Sequence, residues 1–487
     1  MRWVLAAVAL LAGAAALASA FTGGGSDAWN GSTLDATFRD PDGDGILDRG
    51  PGEPLRRRTA LAPAAPVVRT LATFAQVTDA HVVDEESPVR LEMVDRYGAP
   101  FTSAFRPQES VAGRVLAGAV KAVNAQHPQA VVVTGDLVDN AQENELGEAT
   151  AILNGGRVDA SSGSRRYEGV QAQSNPDPFY YRPDVDPPRH PGLLERTQLP
   201  FVSSGLDAPW YPVVGNHDLL VQGNAASTAR TRAIAVGRRK LVELSRPAAA
   251  AARSRVFSPA LLDSALAHGL PGRSVPVTAD PRRRELRPAQ MIARLRRASG
   301  HGGSGARLDY AFDIGRNARV IVLDLVRRSS GASGIVHPGQ RAWLGRQLRL
   351  AGRRWVVVCS HAPLVNAAGG ERLLSLLDRD PQVVAAVAGD VHRNSIEPRR
   401  SRVGGYWLIT TASLMDYPQQ ARMFRLVQTR GGVALQTWMV DPDPADALAA
   451  TSRELAFIDF QGGRPRHLAG TPADRNATLF RARRARR

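Results

Sequence analysis

The stretch LATFAQVTDAHVVD, residues 71–84, runs as an apolar strand and then breaks at Asp79 and His81. Two metal-ligand side chains two residues apart, on a chain leaving a strand, are close enough to chelate one ion. The same arrangement recurs four times downstream. VVVTGDLVDN (131–140) places Asp136, Asp139 and Asn140 after a β-branched run, and YPVVGNHD (211–218) places Asn216, His217 and Asp218. WVVVCSHAP (355–363) places His361 after its apolar run, and VVAAVAGDVH (383–392) ends on Asp390 and His392. Any one of these motifs is weak, but five in order, each after an apolar run, form a strong pattern. Strand ends are where an α/β scaffold displays its chemistry, because the loops converge there while the sheet holds them rigid.

Runs of β-branched residues between polar turns predict strands at Leu71–Thr78, Ala130–Thr134, Tyr211–Val214, Val320–Leu325, Trp355–Ser360 and Val383–Ala388. Three more follow at Tyr406–Thr411, Phe424–Gln428 and Val433–Val440. The ligand types suit a two-metal centre, in which a carboxylate bridges two cations while imidazoles and an amide oxygen complete each shell.

In these motifs the chain resembles the calcineurin-like metallophosphoesterases, the superfamily of purple acid phosphatases and many phosphodiesterases, over roughly residues 71–440. The resemblance implies an α/β fold, a four-layered α/β/β/α sandwich, here with two large inserts at about 141–209 and 219–306. It implies that Asp79, His81 and His392 bind one metal, that Asn216 and His361 bind the second, and that Asp136 bridges them. His217 then matches the family's catalytic histidine, oriented by Asp139. The expected cofactors are two divalent ions (Mn, Fe or Zn). The implied activity is hydrolysis of phosphate mono- or diesters, on a small-molecule or polymeric substrate. Within this fold Gln340–Leu350, with Trp343, Leu344, Leu348 and Leu350 at near-helical spacing, is expected to be an outer packing helix.

Two features depart from the family pattern. Asp390 stands where a second-metal histidine is expected; it either ligates through oxygen or turns away and leaves that position open. The gaps are also long, with 80 residues from Asp136 to Asn216 and 145 from Asn216 to His361, which resembles a long-insert branch of secreted bacterial members. The Asp390 departure motivates a competing reading, a catalytically degenerate protein of this fold that binds anionic cell-envelope polymers.

Of the 487 residues, 43% are hydrophobic, so the chain can build a sizeable core, and its single cysteine, Cys359, excludes a disulfide framework. Cys359 reads as a small buried strand residue rather than a nucleophile. No GxSxG elbow, P-loop or GxGxxG turn supports acyl-transfer or nucleotide-cofactor chemistry. The net charge of +16 invites a nucleic-acid reading. Residues 219–300, however, carry 16 basic against four acidic side chains, and the final RARRARR adds five arginines. The rest is near neutral, and no single-strand platform or helix-turn-helix pattern accompanies the arginines, which argues against nucleic acid. The basic insert is then either a lid that steers anions or a solvated arginine face. Its Leu241–Leu244 and Met291–Leu295 stretches look helical, and Tyr180, Tyr181 and Trp210 either line a substrate mouth or pack a loop.

Residues 1–20 have Arg2, an apolar run to Leu17 and Ala18-Ser19-Ala20, as expected of a cleavable signal peptide and a secreted protein. No other run approaches the length of a membrane span. Residues 21–70 read as an arm or linker and 441–487 as a C-terminal extension with a basic tail. Within the arm, DPDGDGILD sets Asp40, Asp42, Asp44 and Asp48 at calcium-loop positions, with Pro51 where the bidentate Glu belongs. Calcium there competes with an Asp/Gly-rich solvated turn.

Overall fold

The strand Trp355–Ser360 shows how the sequence builds the core. Val357 and Cys359 face one apolar cluster while Val356 and Val358 face another, as period-two alternation requires. Both faces are therefore apolar, and the strand lies inside a stack of layers. In this computed structural model residues 29–97, 103–253, 272–329, 331–443, 445–461 and 468–482 are described. The expected signal peptide and the tail beyond Ala482 lie outside them.

Two mixed sheets form the centre. A six-stranded sheet runs in the order Tyr310–Ile314, Ala318–Leu323, Trp355–Ser360, Val383–Ala388, Tyr406–Thr410, Ser395–Arg399. A seven-stranded sheet runs Arg56–Leu61, Ala477–Ala482, Gly432–Val440, Ala421–Thr429, Val67–Val77, Val131–Thr134, Trp210–Val213. Phe74, Val132, Phe424 and Leu435 of the second sheet share one core cluster with Val320, Val357, Ala385 and Trp407 of the first. The Phe74 and Phe424 rings stack at 4.8 Å between centroids. Each such fully buried side chain contributes roughly 1.5–3 kcal/mol of hydrophobic free energy. Helix Gln340–Ala351 and helix Glu371–Leu377 cover the far face of the six-stranded sheet through Leu344, Leu348, Leu373 and Leu377. Helix Ala112–Asn124 packs on the seven-stranded sheet through Val115, Leu116 and Ala119. The expected α/β/β/α layering is present.

Several expectations change. The sheet does not stop at residues 71 and 440, because Arg56–Leu61 and Ala477–Ala482 pair in parallel and complete it. That pairing joins residues over 400 positions apart, which no local pattern encodes. Leu241–Leu244 is not helical; it belongs to strand Arg239–Leu244, antiparallel to Gly272–Pro276, and Leu241 and Val242 enter different clusters. Met291–Leu295 does lie in a helix, Pro288–Ser299. On the outer helix Leu350 is 62% exposed, since its position faces away from Leu344 and Leu348. Trp210 is a buried strand residue and Tyr180 packs in a cluster with Phe105, so neither lines a mouth.

Much of the insert's positive charge is spent internally. Lys240, fully buried, donates to Glu92 at 2.6 Å, and buried Arg283 donates to Asp84 at 2.8 Å. Arg284 and Arg294 both pair with Glu143, and Arg296 donates to the carbonyls of Gly302, Gly305 and Arg307. These contacts tie the insert to the body and leave fewer guanidinium groups for steering anions.

Candidate metal centre

Parallel pairing of Val67–Val77 with Val131–Thr134, and of that strand with Trp210–Val213, brings three motif loops to one end of the seven-stranded sheet. The six-stranded sheet delivers His361, Asp390 and His392 from its own parallel strands. Eight non-glycine residues have positive φ among the described residues, and five of them are Asp79, His81, Asp136, Asp390 and His392. Left-handed backbone is costly away from glycine, mildest for Asp, Asn and His, and it concentrates at functional sites. Here it turns the side chains inward.

Three imidazoles, His81 and His361 buried and His392 partly so, are oriented alike, with Nδ1 anchored to the protein and Nε2 aimed at the centre. His361 Nδ1 donates to the Thr134 carbonyl at 2.9 Å, and His392 Nδ1 donates to Asp416 at 2.5 Å. His81 Nδ1 lies 3.2 Å from Asp139 Oδ1. Such anchoring fixes the tautomer and presents the other nitrogen as a ligand. Around one point, His81 Nε2 and His392 Nε2 stand 3.2 Å apart, with Asp79 Oδ1 3.2 Å from the latter. Around a second point, His361 Nε2 faces Asp136 Oδ2 at 3.1 Å, Asn216 Oδ1 at 3.1 Å and Asp390 Oδ1 at 3.5 Å. The Asn216 amide donates to Gly223 O at 3.1 Å, which turns its oxygen toward His361. Of these three oxygens Asp390 Oδ1 is the farthest from His361 Nε2.

Asp79, Asp136 and His361 have ligand atoms within 4.8 Å of one another, as do Asp79, His81 and His392. Buried carboxylates, imidazoles and one amide oxygen, shared between two adjacent points, are a donor set that fits two divalent cations. The electrostatics agree. Burial lowers the His81 pKa to about 4, keeping the neutral, ligating form. For His392 burial works the other way from its neighbours, and Asp79 and Asp416 win, raising it to about 10. A cation entering beside His392 must displace that proton.

His217 sits at the rim, its side chain 20% exposed. Its Nδ1 donates to the Asp139 backbone carbonyl at 2.8 Å, with the Asp139 carboxylate at 3.4 Å. The Asp139 carboxylate is shared, since it also meets His81 and accepts from Arg90 Nε at 3.0 Å. Burial opposes protonation of His217, but Asp136 and Asp139 outweigh it and raise the pKa.

Close backbone packing holds the loops. A Cβ on Gly389 would collide with Thr78 Oγ1 and Asp79 Oδ2, so this position before Asp390 admits only glycine. Asp218 accepts from the backbone N–H groups of Leu137, Val138 and Gly215, tying the second motif loop to the third.

Asp416, Arg106 and Arg90 carry the support and have no motif in the sequence. Asp416 accepts from Arg106 Nε at 2.6 Å while holding His392. Their signal is only a buried charge pairing seen once the chain is folded. Asp416→Asn keeps the volume and removes the charge behind His392. It is expected to weaken metal retention 10–100-fold, read by competition with a chelator. In the arm, Asp40, Asp42 and Asp44 cluster within 4.8 Å, but Asp48 begins strand Asp48–Pro51 and is not among them. Their carboxylates accept from the N–H groups of Gly43, Gly45 and Ile46, as in a self-capped turn.

No protein-family model matches the chain, and no curated protein matches it in sequence. Among solved structures it is similar to a dimetal phosphatase from Danio rerio, at 14% identity over 77% of this chain and 97% of that one, with a TM-score of 0.40. It is also similar to PhoD, at 12% identity over 84% of this chain and 79% of that one, with a TM-score of 0.32. At these identities the functional reading rests on the side-chain geometry.

Proposed function

We propose that this chain is a secreted, dinuclear metal-dependent phosphoesterase that hydrolyses phosphate mono- or diesters. The observation that carries the reading is the pair of adjacent ligand groups meeting at Asp79 and Asp136. In it Asp79, His81 and His392 would hold one cation, Asn216, His361 and Asp390 would hold the other, and Asp136 would lie between them. Bound divalent cations supply Lewis acidity toward phosphoryl oxygens and lower the pKa of water. The protein's own part is to fix the ligands through Thr134, Asp139 and Asp416 and to place His217 at the rim. With Nδ1 committed to the Asp139 carbonyl, a protonated His217 presents Nε2–H to an ester oxygen, either to stabilise developing charge or to protonate the leaving group. The placement of Asp390 Oδ1 at 3.5 Å from His361 Nε2 favours this reading over a degenerate binding protein. No described helix is long and apolar enough to cross a membrane.

The test uses purified protein stripped with a chelator and assayed on p-nitrophenyl phosphate and bis-p-nitrophenyl phosphate. Hydrolysis of at least one ester is expected to fall about a hundredfold or more on stripping, and to return with Mn, Fe or Zn. A rate untouched by stripping overturns the proposal. The ratio of the two esters assigns mono- or diesterase preference.

A further inference from the structure

A cleft of about 440 Å³ opens between the two sheets, lined by Arg69 and Gln428 of one and by Arg316, Arg353, Arg354 and Trp355 from the other side. It lies at the end opposite the metal centre. Trp355 starts the strand whose far end delivers His361, and Arg69 is near the start of the strand that delivers Asp79. Ten residues of extended chain put roughly 30 Å between Arg69 and Asp79.

No lining residue of this cleft is acidic. Arg354 is balanced by Asp313 at 3.5 Å. Arg69 donates through Nε to the Gln428 amide oxygen at 2.9 Å, which aims the guanidinium without neutralising it. Arg316 and Arg353, both exposed on turns, make no side-chain hydrogen bond or ion pair among the described residues. What distinguishes them is their convergence with Arg69 on one concave space that holds no acidic side chain. Three unneutralised guanidinium groups around one concave space repel one another, and low-dielectric walls focus their field. Guanidinium groups from separate chain segments match the oxygens of phosphate or sulfate in planar, bidentate fashion. Three such charges exceed what one phosphate neutralises, and the volume lies within the range of small-molecule sites.

We propose that this cleft is a second, non-catalytic site that binds a compact anion bearing two adjacent phosphate or sulfate groups, free or carried on an organic body. It stands independently of the metal centre and its proposed reaction.

Isothermal titration of the full-length protein with methylenediphosphonate, methylphosphonate and adenosine methylenediphosphonate, at matched ionic strength, tests it. The titrations are run on chelator-stripped protein in the Asp136→Asn background, so that the signal does not come from cations held at the proposed catalytic site. Methylenediphosphonate is expected to bind at least tenfold tighter than methylphosphonate, and Arg316→Ala with Arg353→Ala to weaken it at least tenfold. In the wild-type background the same pair leaves ester hydrolysis within twofold. Tighter binding of the adenosine form assigns the ligand to an organic diphosphate, and the reverse order assigns it to free diphosphate. Equal affinity for the mono- and diphosphonates, or binding unchanged by the double substitution, overturns the proposal. Because the readout is heat, it stands or falls whether or not the protein hydrolyses esters.

Discussion

Asp136→Asn is expected to lower kcat/KM for ester hydrolysis by about a thousandfold or more, equivalent to roughly 4 kcal/mol of transition-state stabilisation. The substitution is close to isosteric, and asparagine tolerates the φ of +46° that this position holds. One Asp136 oxygen accepts from the His217 N–H at 2.8 Å, and an amide oxygen preserves that contact. The other faces His361 Nε2 at 3.1 Å, between the two ligand groups. What is lost is a full negative charge between the two groups of candidate ligands. Elemental analysis is expected to show metal content falling below two per chain, while the melting temperature stays close to wild type. Retained activity with retained metal removes Asp136 from the centre.

Arg90→Ala is expected to have the largest effect on stability. Arg90 is 1% exposed and donates to Asp139 at 3.0 Å and to Glu109 at 2.5 and 2.8 Å, with Glu92 at 3.4 Å. Removing it leaves buried carboxylates without their cation, a loss on the order of 3–5 kcal/mol. Lys240, on the basic insert, still reaches Glu92, so the loss concentrates at Glu109 and Asp139. The pH dependence has a definite sign. In the wild-type protein burial, opposed by Lys240 and Arg90, already raises the Glu92 pKa above its ordinary 4.5. In the variant burial still pushes the Asp139 carboxyl up, while the Arg90 charge that chiefly holds it down is gone. A carboxyl whose folded pKa is raised contributes stability below its unfolded pKa and loses it as pH rises through the folded pKa. The stability deficit in urea is therefore expected to widen as pH climbs above about 4.5 and to shrink in acid. A deficit independent of pH sinks the electrostatic explanation.

The basic insert shows how a sum of charges misleads. Its excess of arginine suggested a surface for anions beside the metal motifs. In the folded protein Lys240 and Arg283 run inward to Glu92, Asp84 and Glu86, where they offset buried acids of the loop after His81. A separate cleft at the far end of the sandwich is lined by Arg69, Arg316, Arg353 and Arg354, from turns and strands distant in sequence.

The strands and the inward-facing ligand types were legible in the sequence. Alternation of apolar residues reports which faces are buried, and a polar break after each run reports where the chain leaves the sheet. Both are local signals. Which ligands share a point was not legible, because it depends on strand order and on left-handed turns at Asp79, Asp136 and Asp390 that no spacing encodes. Nor could the sequence reveal that Asp416 holds His392, that Arg90 shares Asp139 with two histidines, or that residues 477–482 complete the sheet begun near residue 56. Those pairings join positions tens to hundreds of residues apart, and their free energy exists only once folding has removed water from around the charges.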